Sequence, residues 1–211
     1  MTDDERKRLE ALTHYERTLW KTGVAHVAGM DEAGRGPLAG PVVSACVVMP
    51  ERPLVEGVKD SKAIRSEKKR EEVYGRIMRH ALAVGIGIVP NPQIDETNIL
   101  AATRKAFLLA LSELAVTPGY VLTDHVHGLE LPCGHTMLVR GDALSYCVAA
   151  ASVVAKVTRD RLMREESLRY PQYGFDRHKG YCTREHEEAI AEHGLCPLHR
   201  RTFCRRFAYE G

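Results

Sequence analysis

The chain has 211 residues, 44% of them hydrophobic and 27% charged, and a formal net charge of +2. That length supports one sizeable core, and that balance excludes disordered and fibrous classes. A near-neutral total does not announce a polyanion partner, so any such case rests on placement: from Lys156 to Arg206 there are twelve Lys or Arg against eight Asp or Glu, with four His besides.

Thr2 to Leu19 carries Leu9, Leu12, Tyr15 and Leu19 at helical spacing and predicts one helix in an N-terminal segment, 1–20. Val24 to Met30 and Pro41 to Met49 are β-branched apolar runs on either side of GRGPLAG and predict a hairpin. Ser66 to His80 is a polar helix opened by Ser66, and Ala81 to Val89 is a third strand closed by Pro90 and Pro92. Asn91 to Leu114 reads as one long helix with Ile94, Leu100, Phe107, Leu111 and Leu114 on its apolar positions. A fourth strand, Tyr120 to Leu122, ends at Asp124, and a fifth, Thr136 to Val139, ends at Gly141 and Asp142. Ala143 to Val157 is apolar around nearly its whole circumference, so this helix is expected to be buried against the sheet. The basic segment 170–211 reads as helical. A hairpin followed by strand and helix alternation predicts an α/β fold, a mixed sheet flanked by helices, in a single domain spanning 1–211.

No apolar stretch approaches the ~20 residues needed to cross a bilayer, and MTDDERKRLE is charged where a secretory signal would turn apolar. The expected setting is cytoplasmic, without a membrane. Cysteines at 46, 133, 147, 182, 196 and 204 show no CxxC spacing and suit reduced thiols. Cys182, His186, His193, Cys196, His199 and Cys204 crowd one stretch, but their spacings fit no standard zinc finger.

The acids with most chemical promise stand at element ends: Asp31 and Glu32 after the first strand, Asp124 after the fourth, Asp142 after the fifth. Carboxylates from separate strand ends can share hard divalent ions that keep part of their water. Adjacent residues on a regular strand face opposite sides, so Asp31 and Glu32 reach one site only if the backbone turns between them, a turn that Gly34 and Gly36 favour. The blander reading of each acid is a solvated loop carboxylate or, for Asp142, a cap on the helix starting at Ala143. Gly34, Arg35 and Gly36 supply close backbone approach and a guanidinium suited to phosphate.

GMDEAGRGPLAGPVVSACVV (29–48), VKDSK (58–62), VRGDALSYCVAAASVVAKVTRDRLM (139–163) and YPQYGFDRHKGYCTREHEEAIAEHGLCPLHRRTF (170–203) closely resemble the type 2 ribonucleases H of the bacterial ribonuclease HII kind. The blocks keep family order and span most of Val24 to Phe203. The resemblance implies a ribonuclease H-like sheet with a helical C-terminal segment. It implies four catalytic, metal-holding acids, Asp31, Glu32, Asp124 and Asp142, that bind two ions of Mg²⁺ or Mn²⁺ during catalysis. One ion is expected to generate the nucleophilic water and the other to stabilise the departing 3′ oxygen. It assigns Gly34, Arg35 and Gly36 to the ribose and phosphate and Tyr181 to the ribonucleotide, where contact with a 2′-hydroxyl separates RNA from DNA. Lys59, Lys62, Lys156, Arg159, His178 and Lys179 fall in matching basic segments as candidate phosphate contacts.

The implied activity is endonucleolytic cleavage on the 5′ side of a ribonucleotide in RNA/DNA hybrids or in DNA duplexes with embedded ribonucleotides, leaving 5′-phosphate and 3′-hydroxyl ends. Its implied purpose is removal of misincorporated ribonucleotides and of RNA from hybrids, and the chain is expected to act as a monomer. One departure is visible: the family usually places glycine after its third acid, whereas His125 follows Asp124 here. FAYEG (207–211) shows no clamp-binding motif. Two alternatives belong to other classes: a noncatalytic nucleic-acid-binding module, expected to lack an acid, and another ribonuclease H-like nuclease, such as a junction resolvase, with the same acids and different readers. A structural zinc protein is a third.

Overall fold

The computed structural model describes residues 1–207; the end of the basic segment, 208–211, and with it most of FAYEG, lies outside the described residues. Helix α1 (Asp3–Leu12) starts where the Thr2 hydroxyl accepts from the Glu5 N–H, with three acids in its first turn favoured by the helix dipole. The single helix expected over Thr2 to Leu19 is two, because the chain leaves helical geometry at Thr13, whose hydroxyl donates to the Glu10 carbonyl; α2 (His14–Lys21) follows.

Strands β1 (Val27–Ala33) and β2 (Val42–Val48) form the expected hairpin, paired from Ala28 with Val48 to Ala33 with Val43. Helix α3 (Glu67–His80), capped by Ser66, leads into β3 (Ala83–Val89), which pairs antiparallel with β2. The long helix expected from Asn91 to Leu114 is also two, α4 (Asn91–Glu96) and α5 (Ile99–Ser112). Asn98 is extended and its side chain accepts from the Ala101 N–H, so a competing N-cap overrides the continuous apolar spacing. Strands β4 (Tyr120–Asp124) and β5 (His135–Leu138) then add in parallel beside β1, giving the order β3-β2-β1-β4-β5.

The expected buried helix is longer and starts later. A short α6 (Gly141–Leu144) holds Asp142, so that acid does not cap a helix at Ala143; Ser145 caps α7 (Tyr146–Arg169) by accepting from the Val148 N–H. Helix α7 crosses one face of β1 and β2 with α3 packed against it, while α5 covers the other face. Val47, Val153 and Val154 are fully buried in the α7 layer, and each such side chain contributes about 1.5–3 kcal/mol. Gly29 allows closer contact than any side chain would: a Cβ there would lie 2.0 Å from the Cys147 carbonyl carbon. Helices α8 (Phe175–His178) and α9 (Arg184–His193) complete the C-terminal layer around Tyr173 and Phe175. Among the described residues no helix is long and apolar enough to cross a membrane.

Candidate active site

The parallel pairing of β1 with β4 ends at Met30 and Thr123, so the next residues, Asp31 and Asp124, stand side by side where the ladder opens. No turn separates Asp31 from Glu32, contrary to expectation: both remain in register with β2, opposite Ala45 and Ser44. They nonetheless line one cleft of about 390 Å³, with Asp124, Gly34, Arg35, Gly36, Lys62, Lys156 and Tyr181. The backbone turn comes two residues later, at Gly34.

Asp31 is buried and its Oδ1 accepts the Glu32 N–H at 2.8 Å. Its carboxyl is pushed well above the usual range by burial, then by repulsion from Glu32 and Asp124. Burial likewise raises Glu32, against the pull of Arg35, whose Nη1 lies 3.2 Å from Glu32 Oε1. Glu32 Oε2 is buried with no hydrogen-bond partner. Asp124 Oδ1 accepts the Gly141 N–H at 2.9 Å, which ties β4 to the start of α6. Asp142, also buried, is raised by burial and by Asp60, and Lys62 Nζ stands 3.9 Å from its Oδ2.

Among the described residues no three His, Cys, Asp or Glu side chains close into a cage for an ion. Magnesium-type ions do not require one, since they bind through one or two carboxylates, waters and substrate phosphate. Hard oxygen donors, a partnerless buried carboxylate oxygen and mutually repelling acids fit a divalent cation on this wall.

The opposite wall is the loop after β1, folded around two buried guanidinium groups. Arg200, 0% exposed, donates to the carbonyls of Gly34 (2.6 Å), Arg35 (3.0 Å), Pro37 (2.9 Å), Gly40 (2.9 Å) and Pro41 (3.2 Å). Arg159 donates to Pro41, Lys179 and Ala39 at 2.9, 3.0 and 3.0 Å. Burial and the neighbouring Arg159 lower Arg200 to about 9. A trans peptide points its C=O and N–H in opposite directions, so turning the Gly34 and Arg35 carbonyls inward turns the Arg35 and Gly36 N–H groups outward. Gly34 has φ +96°, and a Cβ there would meet Arg159 Nε at 2.1 Å. Tyr181, 40% exposed, stands beside Gly36, with Lys156 Nζ and Arg159 Cζ each 5.7 Å from its ring centroid.

The candidate phosphate contacts therefore divide. Lys62 and Lys156 line the cleft, Lys156 also pairing with Asp160 at 2.7 Å. Lys59 is exposed but outside it. Arg159 is fully buried on backbone carbonyls, and His178 and Lys179 are buried too, with His178 Nε2 on the Tyr173 carbonyl and Lys179 Nζ on that of Asp176. None of these three is turned to the cleft as a phosphate contact would be.

Sequence reasoning missed Arg200, Asp60 and Glu16. HRRTF reads as a surface basic run, and a single Asp in VKDSK carries no signal. Glu16 is fully buried in α2, where Oε1 accepts from the Ser145 hydroxyl (2.5 Å) and the Cys147 N–H (2.8 Å), bracing the start of α7; burial raises its carboxyl. Only a break at Thr13, invisible in the apolar spacing, aims it there.

Solved structures share this architecture. The ribonuclease H2 from Pyrococcus horikoshii OT3 aligns with a TM-score of 0.73 and 28% identity over 88% of this chain and all of that one. Bst-RNase HIII in complex with Mn²⁺ aligns at 0.62 with 18% identity, over 89% of this chain and 65% of that one. The fold is that of the ribonucleases H, a class of nucleases. A family model described as Ribonuclease HII matches residues 28–209. The ribonuclease HII of Acetivibrio thermocellus is 47% identical over 205 residues, 97% of this chain and 80% of that protein. The chain belongs to the ribonuclease HII family and is a hydrolase.

Proposed function

We propose that this chain cleaves the phosphodiester on the 5′ side of a ribonucleotide in RNA/DNA hybrids and in DNA duplexes with embedded ribonucleotides, leaving 5′-phosphate and 3′-hydroxyl ends. The observation that carries the reading is the pairing, across one cleft, of strand-end acids with an outward-facing amide loop and a half-exposed tyrosine. Asp31, Glu32, Asp124 and Asp142 would hold the divalent ions. When bound, two ions of Mg²⁺ or Mn²⁺ supply the water activation and charge neutralisation that phosphodiester hydrolysis requires. The Arg35 and Gly36 amides receive a phosphate or sugar oxygen, and the Tyr181 hydroxyl and ring face the ribonucleotide, where the 2′-hydroxyl is the distinguishing group. Lys62 and Lys156 attract the backbone.

The test is a duplex containing one ribonucleotide, incubated with Mg²⁺ or Mn²⁺, with the product ends analysed. One cut 5′ to the ribonucleotide is expected, abolished in Asp31→Asn and Asp142→Asn. Undiminished cutting by either variant removes the assignment of the acids. Cutting of all-DNA junctions in place of this duplex removes the substrate and favours a resolvase-like activity. Tyr181→Ala is expected to fold and lose activity.

A further inference from the structure

His178, His186 and His199 line no part of the cleft, yet they pack directly behind the Tyr181 turn and are almost fully buried. Their hydrogen bonds assign each proton. The Cys196 N–H donates to His199 Nδ1 at 3.0 Å, so that nitrogen is an acceptor and a neutral His199 carries its proton on Nε2. The same nitrogen lies 3.3 Å from the Cys196 carbonyl, but a proton there would point into the Cys196 N–H at the shorter 3.0 Å contact. His199 Nε2 faces His186 Nε2 at 3.1 Å. Two N–H groups cannot point at one another, so His186 accepts there and holds its proton on Nδ1, which donates to the Tyr181 carbonyl at 2.9 Å.

His178 is fixed independently. Its Nδ1 accepts the Gly180 N–H at 3.1 Å, and Nε2 donates to the Tyr173 carbonyl at 2.7 Å. Its ring stacks on His186 with centroids 4.4 Å apart, and the Phe175 ring packs on all three imidazoles. The two imidazoles thus grip the main chain on both flanks of the Gly180–Tyr181 unit, the amide before it and the carbonyl after it. Burial holds all three histidines neutral, and their mutual repulsion adds to this at His186 and His199.

We propose that His199 and His186 form a proton-ordered imidazole relay, with His178 stacked against it, whose task is to position Tyr181 against the sugar it reads. This rests on the reading of Tyr181 given above. The relay runs in one direction, from the Cys196 amide through two rings to the Tyr181 carbonyl, and every member is a positioning residue, since none touches the cleft.

The test begins with nitrogen-15 NMR of the full chain labelled at histidine. Near neutral pH we expect His199 and His178 as the Nε2–H tautomer and His186 as the Nδ1–H tautomer; a charged or Nε2–H His186 overturns the relay without any substitution. Activity on the single-ribonucleotide duplex supplies the second arm. His186→Leu is expected to lower kcat/KM about tenfold, the scale of one hydrogen bond. His186→Asn, whose amide can donate from the Nδ1 position, is expected to recover most of that loss. In a Tyr181→Ala background His186→Leu is expected to add nothing. If Tyr181→Ala alone is impaired and His186→Leu multiplies the defect, the positioning role falls while the reader stands. If Tyr181→Ala is unimpaired, the reader falls and takes the positioning role with it, whatever the tautomers.

Discussion

On the strand-end wall of the cleft, Glu32 Oε2 is buried with no partner and Asp31 is raised by burial and by two neighbouring carboxylates. On the loop wall, the Arg200 guanidinium alone serves five carbonyls, and three imidazoles behind it have both nitrogens engaged. Both walls bury charge or titratable groups that water would otherwise solvate. One leaves them unsatisfied and therefore ready for an added cation, whereas the other satisfies them internally and is rigid before any ligand arrives. A buried polar network is tolerated when complete; Glu16 Oε2, Arg104 Nε and Thr158 Oγ1 are also buried without partners, so it is the position of Glu32 Oε2 on the acidic wall that points to a cation.

The contrast breaks most visibly at Asp31. Asp31→Asn should lower cleavage by on the order of 10²–10³-fold, yet raise the Tm of the metal-free protein by relieving repulsion with Glu32 and Asp124. In the wild type, a divalent ion at a hundred times its Kd should stabilise by about 2.7 kcal/mol, and the variant should gain much less. Equal Tm values without metal would mean that the acidic wall is not strained.

Arg200→Met is the matching lesion on the other wall. Several buried carbonyls would lose their donor at about 1–3 kcal/mol each, so denaturant unfolding should show a loss of at least about 3 kcal/mol. Arg200→Lys should recover little, because an ammonium cannot span the fork of acceptors. An unchanged unfolding curve would refute the view of this wall as pre-assembled.

Acid should separate the walls more gently. The histidines are held below their unfolded value, His199 from 6.5 to about 4, so the unfolded chain binds more protons in that window. Their contribution is fully present above about 6.5 and fades as pH falls towards 4. The raised carboxyls act in the opposite sense, since the folded chain then binds the extra proton. His199→Gln, with no proton to gain, should flatten the histidine part of the slope in denaturant titrations from pH 7 to 4; an unaltered slope would sever the link. Smallest of all, Lys62→Ala should raise KM less than about tenfold and leave stability within about 0.5 kcal/mol, because the Lys62 side chain is solvent-exposed and its approach to Asp142 is a long 3.9 Å. A collapse of activity would make Lys62 part of the acidic wall.

What could be read from the chain alone was whatever has a short period or a local cause. The hairpin and the apolar first half of α7 follow from alternation and composition, whereas Asp31 and Glu32, expected after the first strand, lie within β1. Thr13 and Asn98 break two helices through side-chain bonds that apolar spacing does not register, and Ser145 displaces the expected cap. Asp31 and Glu32 were expected to need a turn between them, but both line the cleft beside the opening of the β1–β4 ladder without one. The burial of Arg159 and Arg200 depends on carbonyls as far as 166 residues away in sequence, whereas His178 and Lys179 turn inward onto carbonyls of their own segment. No local pattern tells a basic residue that will be enclosed from one that will meet a phosphate.

The joint at Gly29 has a further consequence. Strand β1 and the first turn of α7 meet main chain to main chain, and Asp31 and Asp142 are reckoned along the backbone from that joint, one downstream of Gly29 and the other upstream of Cys147. The gauge between two of the acids thus contains no rotatable side chain at its narrowest point. Rotamer changes in the surrounding core do not act on a contact made of peptide groups alone. A lineage could exchange the valines and leucines around it and hand on the same spacing unchanged.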